Sequence, residues 1–315
     1  MGFRSGFVSI IGRPNAGKST LLNSLVGEKL AIVTRKPQTT RSRIQGIVNL
    51  EKKGKHPAGQ IVLIDTPGVH KPVNSLNRRM MKEVYDALVG CDLLLLIVDA
   101  AEKFGSGDEF VLEIARRAEL PCFLLLNKID VLQKEKLLPL IARYRDLHEF
   151  AQVIPISALK RSGLESLLDL IVKALPEGPR YFAENQITDQ PERFLVSELV
   201  REQVLQFTSQ EVPHATTVLI DRFEEGPKLT KIAATIYCER EGQKAILIGK
   251  QGSTLKKIGT HARQRIERML GTKVFLELFV KVQPGWRESR AFVEELDWRR
   301  QLGRLAGSKQ GEEDE

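Results

Sequence analysis

One segment near the start of the chain has the composition of an anion-binding loop. Residues 12–19 read Gly-Arg-Pro-Asn-Ala-Gly-Lys-Ser and match the pattern G-x-x-x-x-G-K-[ST], with an apolar run before them and a helical run after them. The backbone N–H groups of such a loop bind phosphate oxygens, Lys18 reaches the β- and γ-phosphates, and the Ser19 hydroxyl ligates Mg²⁺. The predicted nucleotide contacts are Gly12, Asn15, Ala16, Gly17, Lys18, Ser19 and Thr20.

A carboxylate and a glycine follow another apolar run. Asp65-Thr66-Pro67-Gly68 comes directly after residues 61–64, so its side chains emerge at the end of a predicted strand. There Asp65 can hold Mg²⁺ through water, and the Gly68 N–H can meet a γ-phosphate. The same four residues form an ordinary turn in many proteins, and it is their position that favours the functional interpretation.

A third motif predicts which base is bound. Asn127-Lys128-Ile129-Asp130 follows the apolar run 122–126. In the plane of the base, the Asp130 carboxylate accepts hydrogen bonds from guanine N1–H and from the 2-amino group, and adenine offers neither donor. Leaving such a carboxylate buried and unpaired costs about 1–3 kcal/mol or more. Asn127 would bridge the base to the phosphate loop, and the stem of Lys128 would cover one face of the base.

The last motif of this series is Ser157-Ala158-Leu159, which follows the apolar run 153–155. A backbone N–H in this loop would bond guanine O6 and reject a 6-amino group. The four motifs in this order resemble those of the translation-factor-related GTPases, over about residues 7–174. That resemblance implies GTP and GDP as ligands, Mg²⁺ as the metal, and hydrolysis of GTP as the reaction.

The resemblance also implies a threonine between the phosphate loop and Asp65 that completes the Mg²⁺ coordination. Thr40 is the predicted residue, Thr39 is the alternative, and an ordinary solvent loop is a further alternative. These assignments give Lys18, Thr40 and Gly68 catalytic roles. They make Ser19, Thr40 and Asp65 the metal-binding residues.

The residue after Gly68 bears on the rate of hydrolysis. Val69 stands where small signalling GTPases carry a glutamine that orients the attacking water, and an apolar side chain cannot do this by hydrogen bonding. We therefore expect slow intrinsic hydrolysis unless a partner or an ion assists. The sequence resembles hydrophobically substituted GTPases, some of which recruit K⁺ through an asparagine at the position of Asn15. A purely structural role of Asn15 in the turn is the alternative.

A second candidate site lies in the last third of the chain. Ile248-Gly249-Lys250-Gln251-Gly252 contains a GxxG loop before a helical pattern, and its glycines let the backbone approach a sugar–phosphate chain closely. Residues 244–273 carry eight Lys or Arg against a single Glu, a surplus typical of a polyanion site. The flanking side chains expected to form an apolar groove for bases are Ile246, Ile248, Leu255 and Ile258. The predicted RNA contacts are Ile248, Gly249, Lys250, Gln251, Gly252, Lys256 and Lys257.

The elements that must position these residues form two domains. Continuous apolar runs separated by helical patterns predict a P-loop α/β fold with a doubly wound, mostly parallel sheet. After the proline-rich residues 175–179 the pattern becomes helix–strand–strand–helix–helix–strand, the order of an α+β type II KH domain. The predicted boundaries are 1–178 for the GTP-binding domain, 179–191 for a linker, 192–300 for the KH domain and 301–315 for a flexible acidic tail.

Composition limits the class of protein. The 315 residues carry a net charge of +8, and 42% are hydrophobic, which excludes wholesale disorder. The longest apolar run, 93–98, is far shorter than the ~20 residues that span a bilayer. The three cysteines lie far apart and are expected to be buried thiols in a reducing cytosol. We expect a soluble intracellular protein.

The nucleotide motifs, the proline-rich junction and the GxxG loop together resemble the Era family over about residues 6–300. The resemblance implies binding of the single-stranded 3′ end of small-subunit ribosomal RNA and a role in small-subunit assembly. It further implies a monomer and peripheral association with the cytoplasmic membrane. Two alternatives remain open: a constitutive RNA chaperone that GTP merely stabilises, and a GTPase that acts mainly on a membrane or protein partner.

Overall fold

The computed structural model describes residues 2–34, 36, 38–52, 57–301 and 303. The chain forms two compact units. The first comprises Met1–Lys71 and Met80–Gln190, and the second comprises Pro72–Arg79 and the chain from Pro191 onward. The predicted boundaries treat 1–178 as one continuous stretch, whereas the structure groups Pro72–Arg79 with the second unit. Most of the predicted acidic tail, 302 and 304–315, lies outside the described residues.

The first unit is built on a six-stranded sheet in the order β2-β3-β1-β4-β5-β6. Only β2 is antiparallel, and it pairs with β3 at one edge. The strands are β1 Arg4–Ile11, β2 Ile44–Leu50, β3 Gly59–Asp65, β4 Leu93–Asp99, β5 Cys122–Asn127 and β6 Gln152–Pro155. The mostly parallel fold is therefore confirmed, and β2 is a strand that the sequence patterns did not predict. Its polar positions Gln45 and Asn49 interrupt the apolar run by which the buried strands are recognised.

Helices cover both faces of this sheet. The helices before Gln190 are α1 Lys18–Val26, α2 Ser75–Asp86, α3 Ser106–Ala118, α4 Leu137–Leu147 and α5 Leu164–Ala174. On one face, α1 and α5 contact β1, β2 and β3. On the other, apolar residues of α3 and α4 join those of β4 and β5 in one core cluster. Burial on both faces explains why β3, β4 and β5 are almost wholly apolar.

The predicted linker residues up to Gln190 are bound along β2 and β3 in the first unit. The Ile47 N–H donates to Ile187 O at 2.9 Å, and the Thr188 hydroxyl donates to Gln45 O at 2.6 Å. Further along, the fully buried side chain of Gln60 bonds to the backbone of Tyr181 and Phe182. This part of the chain is held by specific contacts and is not a free tether.

The second unit has a three-stranded sheet in the order β7-β8-β9, with β7 antiparallel and β9 parallel to β8. Its elements are α6 Glu192–Phe207, β7 Thr217–Glu224, β8 Leu229–Cys238, α7 Glu241–Ile248, α8 Ser253–Leu270, β9 Lys273–Val282 and α9 Arg290–Glu295. Apolar side chains of α6 and α8 pack on the sheet and form one core. The order from α6 to β9 is that of a type II KH domain, as predicted, and α9 is an addition.

The expectation that the cysteines are buried thiols is met. All three cysteines are free and buried. Burial raises the pKa of Cys91 to about 11 and that of Cys122 to about 12, so both remain thiols at neutral pH. Within the described ranges, none of the helices is both long and apolar enough to cross a membrane.

Candidate functional site

The nucleotide motifs meet at one edge of the first sheet. The strands β3, β4 and β5 end at Asp65, Asp99 and Asn127, and the phosphate loop follows the end of β1 at Ile11. Because these strands are parallel, their carboxyl ends lie at the same edge, where ligands bind in open α/β sheets. The strand order thus brings Asn127 to the phosphate loop, 115 positions after Gly12 in the chain.

A cleft of about 750 Å³ opens at this edge. Its volume is in the range typical of small-ligand sites. The predicted residues that line it are Asn15, Ala16, Gly17, Lys18, Ser19, Thr20, Thr40, Gly68, Asn127, Lys128, Asp130, Ser157, Ala158 and Leu159. Gly12 and Asp65 are not among the lining residues, and Asp65 is fully buried.

The phosphate loop passes directly into α1 at Gly17. Gly17 has φ +104°, a left-handed conformation that favours glycine, and a Cβ there would lie 2.2 Å from Asn127 Nδ2. The Lys18 ammonium is buried and donates to Gly12 O at 3.0 Å and to Arg13 O at 2.9 Å. The loop therefore presents a helix N-terminus and a sheltered cation to an anion.

Three side-chain oxygens converge beside Lys18. The Ser19 hydroxyl donates to Asp65 Oδ2 at 2.7 Å and lies 2.8 Å from Thr40 Oγ1. Asp65 Oδ1 is buried and has no hydrogen-bond partner among the residues described. Hard oxygen ligands with one unsatisfied carboxylate oxygen suit Mg²⁺. Thr39 is not part of this cluster, since its hydroxyl donates to Lys36 O at 2.6 Å.

Burial disfavours the charged forms of both Asp65 and Lys18. It raises the pKa of the Asp65 carboxyl to about 6, while Lys18 and the hydroxyls of Ser19 and Thr40 act in the opposite direction. Burial also lowers the pKa of the Lys18 ammonium to about 8, and the Asp65 charge raises it. A divalent cation beside Asp65 and an anion beside Lys18 would relieve both desolvation costs.

Asn127 organises the motif that is predicted to recognise the base. Its side-chain amide donates to Ala16 O at 2.8 Å, and its Oδ1 accepts from the Ala158 N–H at 2.9 Å. Asn127 thus joins the phosphate loop to the 157–159 loop. The Ala158 N–H is already used in this link, as the donor to Asn127 Oδ1. The Ser157 hydroxyl holds Asp130 Oδ1 at 2.6 Å. The exposed Leu159 lies at the rim of the cleft.

Asp99 is a site residue that the sequence analysis missed. Its carboxylate pairs with Lys128 Nζ at 2.5 Å, with its other oxygen accepting from the Ala101 N–H, so it fixes the lysine whose stem would cover the base. A signal was available: Asp99 ends β4, just as Asp65 ends β3 and Asn127 ends β5.

Gly68 and Val69 lie beside the phosphate loop. The Val69 side chain is buried in the core, and its N–H donates to Gly12 O at 3.0 Å. Val69 is therefore turned away from the cleft and cannot orient water there. Gly68 lines the cleft, as expected for a residue whose N–H would meet a γ-phosphate.

The GxxG loop joins α7 to α8. Gly249, Gln251 and Gly252 all have positive φ, at 72°, 52° and 77°. A Cβ on Gly252 would meet nothing within 4 Å, so this face of the loop is open to a close backbone approach. The side chains of Lys250, Gln251, Lys256 and Lys257 are exposed. The loop thus presents cations and a helix N-terminus to solvent.

The predicted apolar groove is partly wrong. Ile258 is fully buried in the core of the second unit, and Leu255 packs against that core. Ile246 is 47% exposed and Ile248 is half-buried. Helical periodicity shows that α8 has an apolar face, but it does not show which residues of that face the sheet covers.

Family models match both units. The model described as "50S ribosome-binding GTPase" matches residues 7–128, and the one described as "KH domain" matches residues 211–287. The fold and the cleft thus define a P-loop GTPase that carries a C-terminal KH domain.

Relatives and solved structures match almost the whole chain. It is 49% identical over 298 residues to the GTPase Era of Geobacter metallireducens, with 94% of this chain and 98% of the relative covered. The Era of Syntrophus aciditrophicus is 47% identical, with 94% and 95% covered. A crystal structure of Era with MgGDPNP and nucleotides 1506–1542 of 16S ribosomal RNA matches at TM-score 0.88 and 39% identity, with 93% and 98% covered. The chain belongs to the Era family of GTPases.

Proposed function

We propose that this GTPase is a molecular switch that binds the 3′ end of small-subunit ribosomal RNA through its KH domain and acts in small-subunit assembly. The observation that carries the proposal is the exposed GxxG loop, open at Gly252 and flanked by Lys250, Lys256 and Lys257. Such loops bind about four single-stranded nucleotides. The solved Era complex with 16S ribosomal RNA, similar over 93% of this chain, supports the choice of RNA.

In the proposed reaction, Lys18 and the Gly68 N–H stabilise the charge that develops on the transferred phosphoryl group. Ser19, Thr40 and Asp65 would hold Mg²⁺, which when bound neutralises charge on the β- and γ-phosphate oxygens. Asp130 would read guanine, with Ser157 and Asn127 fixing the orientation of its loop. Because Val69 is buried, the slow intrinsic rate expected from the sequence remains our prediction.

The KH assignment can be tested by reversing charge at the loop. A variant with Lys250→Glu and Lys256→Glu should lose RNA affinity by about 100-fold or more, since each removed phosphate contact weakens binding and each new carboxylate repels the strand. Lys134→Glu with Lys136→Glu makes the same charge change at exposed positions of the first unit. RNA affinity should hardly change in this control.

Crosslinking in cells tests which RNA the protein binds and whether binding depends on the nucleotide. RNA crosslinked to the protein should be dominated by the 3′ end of 16S-type RNA, with more captured in the GTP-bound form than in the GDP-bound form. Equal affinity with GDP and with a non-hydrolysable GTP analogue would support the constitutive chaperone instead. Function that survives the Lys250→Glu, Lys256→Glu change would support a membrane or protein partner.

Peripheral membrane association, a cytoplasmic location and a monomeric state belong to the same proposal. They are supported by the family membership and are not needed for the RNA argument. Sedimentation of the purified protein, and its flotation with vesicles of bacterial lipid composition, would test the oligomeric state and the membrane association separately.

A further inference from the structure

The peptide between Gly68 and Val69 is held at both of its polar atoms. The Val69 N–H donates to Gly12 O at 3.0 Å, and Gly68 O lies 2.8 Å from His70 Nδ1. A carbonyl oxygen can only accept, so the hydrogen bond requires the proton of the imidazole on Nδ1. These two contacts fix the orientation of the peptide between Gly68 and Val69, and so restrict the backbone at Gly68, which lines the cleft.

The other imidazole nitrogen faces Gln38, in the segment that contains Thr40. His70 Nε2 lies 3.4 Å from Gln38 Nε2. With the proton on Nδ1, the neutral ring has a lone pair on Nε2, and the Gln38 amide can donate to it. Gln38 stands two residues before Thr40 and lines the cleft with it. One imidazole therefore contacts both the Gly68 segment and the Thr40 segment.

Local geometry holds Gln38 in this position. The Thr39 hydroxyl donates to Lys36 O at 2.6 Å and lies 2.7 Å from Thr34 Oγ1. Gln38 itself has φ 59°, a left-handed conformation that few residues other than glycine adopt. Beside Thr39, Gln38 contacts His70 and Thr40 contacts Ser19.

We infer that His70 is a positioning residue for GTP hydrolysis: by joining the Gly68 carbonyl to the Gln38 side chain, it makes the two segments close on the γ-phosphate together. The inference rests on the roles proposed above for Thr40 and Gly68. His70 is not among the described residues that line the cleft, so it acts through its two partners. Without the His70 side chain, the two segments close less often around bound GTP. This lowers kcat and leaves GDP affinity unchanged.

A double-mutant cycle tests this coupling. Single-turnover hydrolysis should slow about 5- to 10-fold in His70→Ala and by a similar factor in Gln38→Ala, the loss expected for one or two hydrogen bonds. The double variant should be no slower than the slower single variant, because both changes break the same link. GDP affinity should stay within about twofold. Lys71→Ala, at the exposed neighbouring position, is the matched control and should hydrolyse at the wild-type rate.

A conservative variant separates the two contacts. In His70→Asn the amide Nδ2 can take the place of Nδ1 and keep the bond to Gly68 O, but it cannot reach Gln38. Its rate should therefore match that of Gln38→Ala, and adding Gln38→Ala should not slow it further. A merely structural role would instead lower the thermal midpoint and GDP affinity along with the rate.

Three outcomes would overturn the inference: an unchanged rate in His70→Ala, additive losses in the cycle, or GDP affinity that falls in step with kcat. Thr40→Ala distinguishes this failure from failure of the underlying proposal. If Thr40→Ala is slow and His70→Ala is not, only the role of His70 is wrong. If Thr40→Ala hydrolyses GTP at the full rate, the assignment of Thr40 is wrong as well.

Discussion

The Ser157 hydroxyl donates a hydrogen bond of 2.6 Å to Asp130 Oδ1. Ser157 is buried and Asp130 is exposed, so a fixed hydroxyl orients a carboxylate that faces the cleft. If Asp130 reads the base as proposed, its carboxylate is oriented before the base binds, and little ordering entropy remains to be lost on binding. Base selectivity should depend on Asp130 itself, and Ser157 should affect only its orientation.

Asp130→Asn should exchange guanine preference for xanthine preference. Xanthine carries a carbonyl where guanine has the 2-amino group, and an asparagine amide can donate to it. We expect GTP affinity to fall by about 100-fold or more and XTP affinity to rise, because unpaired polar groups in a built site are costly. Displacement of a fluorescent GDP by each nucleotide measures both. Ser157→Ala should weaken GTP binding by less than about tenfold without changing the preference. An Asp130→Asn protein that still prefers guanine contradicts the assignment.

The buried pair Lys18 and Asp65 predicts how nucleotide binding depends on pH. The pKa of Asp65 is raised to about 6 and that of Lys18 lowered to about 8, both by burial. Between pH 6 and 8 both groups are charged and ready for Mg²⁺ and phosphate. Below pH 6 the carboxyl binds a proton that Mg²⁺ must displace, and above pH 8 the amine must gain one to pair with phosphate. Affinity for Mg·GTP should fall on either side of this window, by up to about tenfold per unit.

Two variants identify the group that titrates on each side of this pH profile of Mg·GTP affinity. Asp65→Asn binds more weakly overall but should lose the acidic decline, and Lys18→Arg should lose the alkaline one because the guanidinium stays charged. The ionisation of the nucleotide itself is common to all three proteins and cancels in the comparison. An acidic decline of the same steepness in Asp65→Asn would show that another group titrates.

Asn15 allows a test of ion dependence. It has φ 64° at the exposed mouth of the cleft, and asparagine tolerates this left-handed conformation, so the turn alone accounts for the residue type. If Asn15 also recruits K⁺, hydrolysis should be several-fold faster in K⁺ than in Na⁺. Asn15→Gly keeps the turn and removes the amide, so it should bind GDP normally and lose the K⁺ stimulation. Equal wild-type rates in the two salts would discard the ion and leave the structural role.

The meeting of the four motifs at one edge of the sheet was predictable because each motif has a local pattern at the end of an apolar strand. Asp65 and Asn127 each follow four or more apolar residues, and parallel strands place such positions at one edge. His70 and Gln60 have no such pattern. Their partners lie 32 and about 121 residues away, so their roles depend on loop closure and on the path of the chain. Ile258 shows that the sequence has the same limit within a single helix, α8. The sequence shows that this residue is apolar, but not that it is buried in the core.

Gln60 gives a prediction about the segment that precedes the KH domain. Its Oε1 accepts from the N–H groups of Tyr181 and Phe182 at 2.8 and 3.0 Å, and its Nε2 donates to Phe182 O and Asn49 Oδ1 at 2.9 and 2.8 Å. A leucine of similar size would leave all four groups unpaired. We expect Gln60→Leu to lower the free energy of unfolding by about 1–3 kcal/mol, or to release this segment to solvent.

Hydrogen exchange read at single amides distinguishes loss of the clamp from general destabilisation. In Gln60→Leu the amides of Tyr181 and Phe182 should exchange faster by at least about tenfold, a change of 1.4 kcal/mol in local opening, while the amides of β4 and β5 change less. Gln186→Leu is the matched control, because the Gln186 side chain donates to Thr188 O within the same segment. Unchanged protection of Tyr181 and Phe182 in Gln60→Leu would mean that the packing of this segment, including the Phe7–Tyr181 ring contact at 4.9 Å, holds it without the amide.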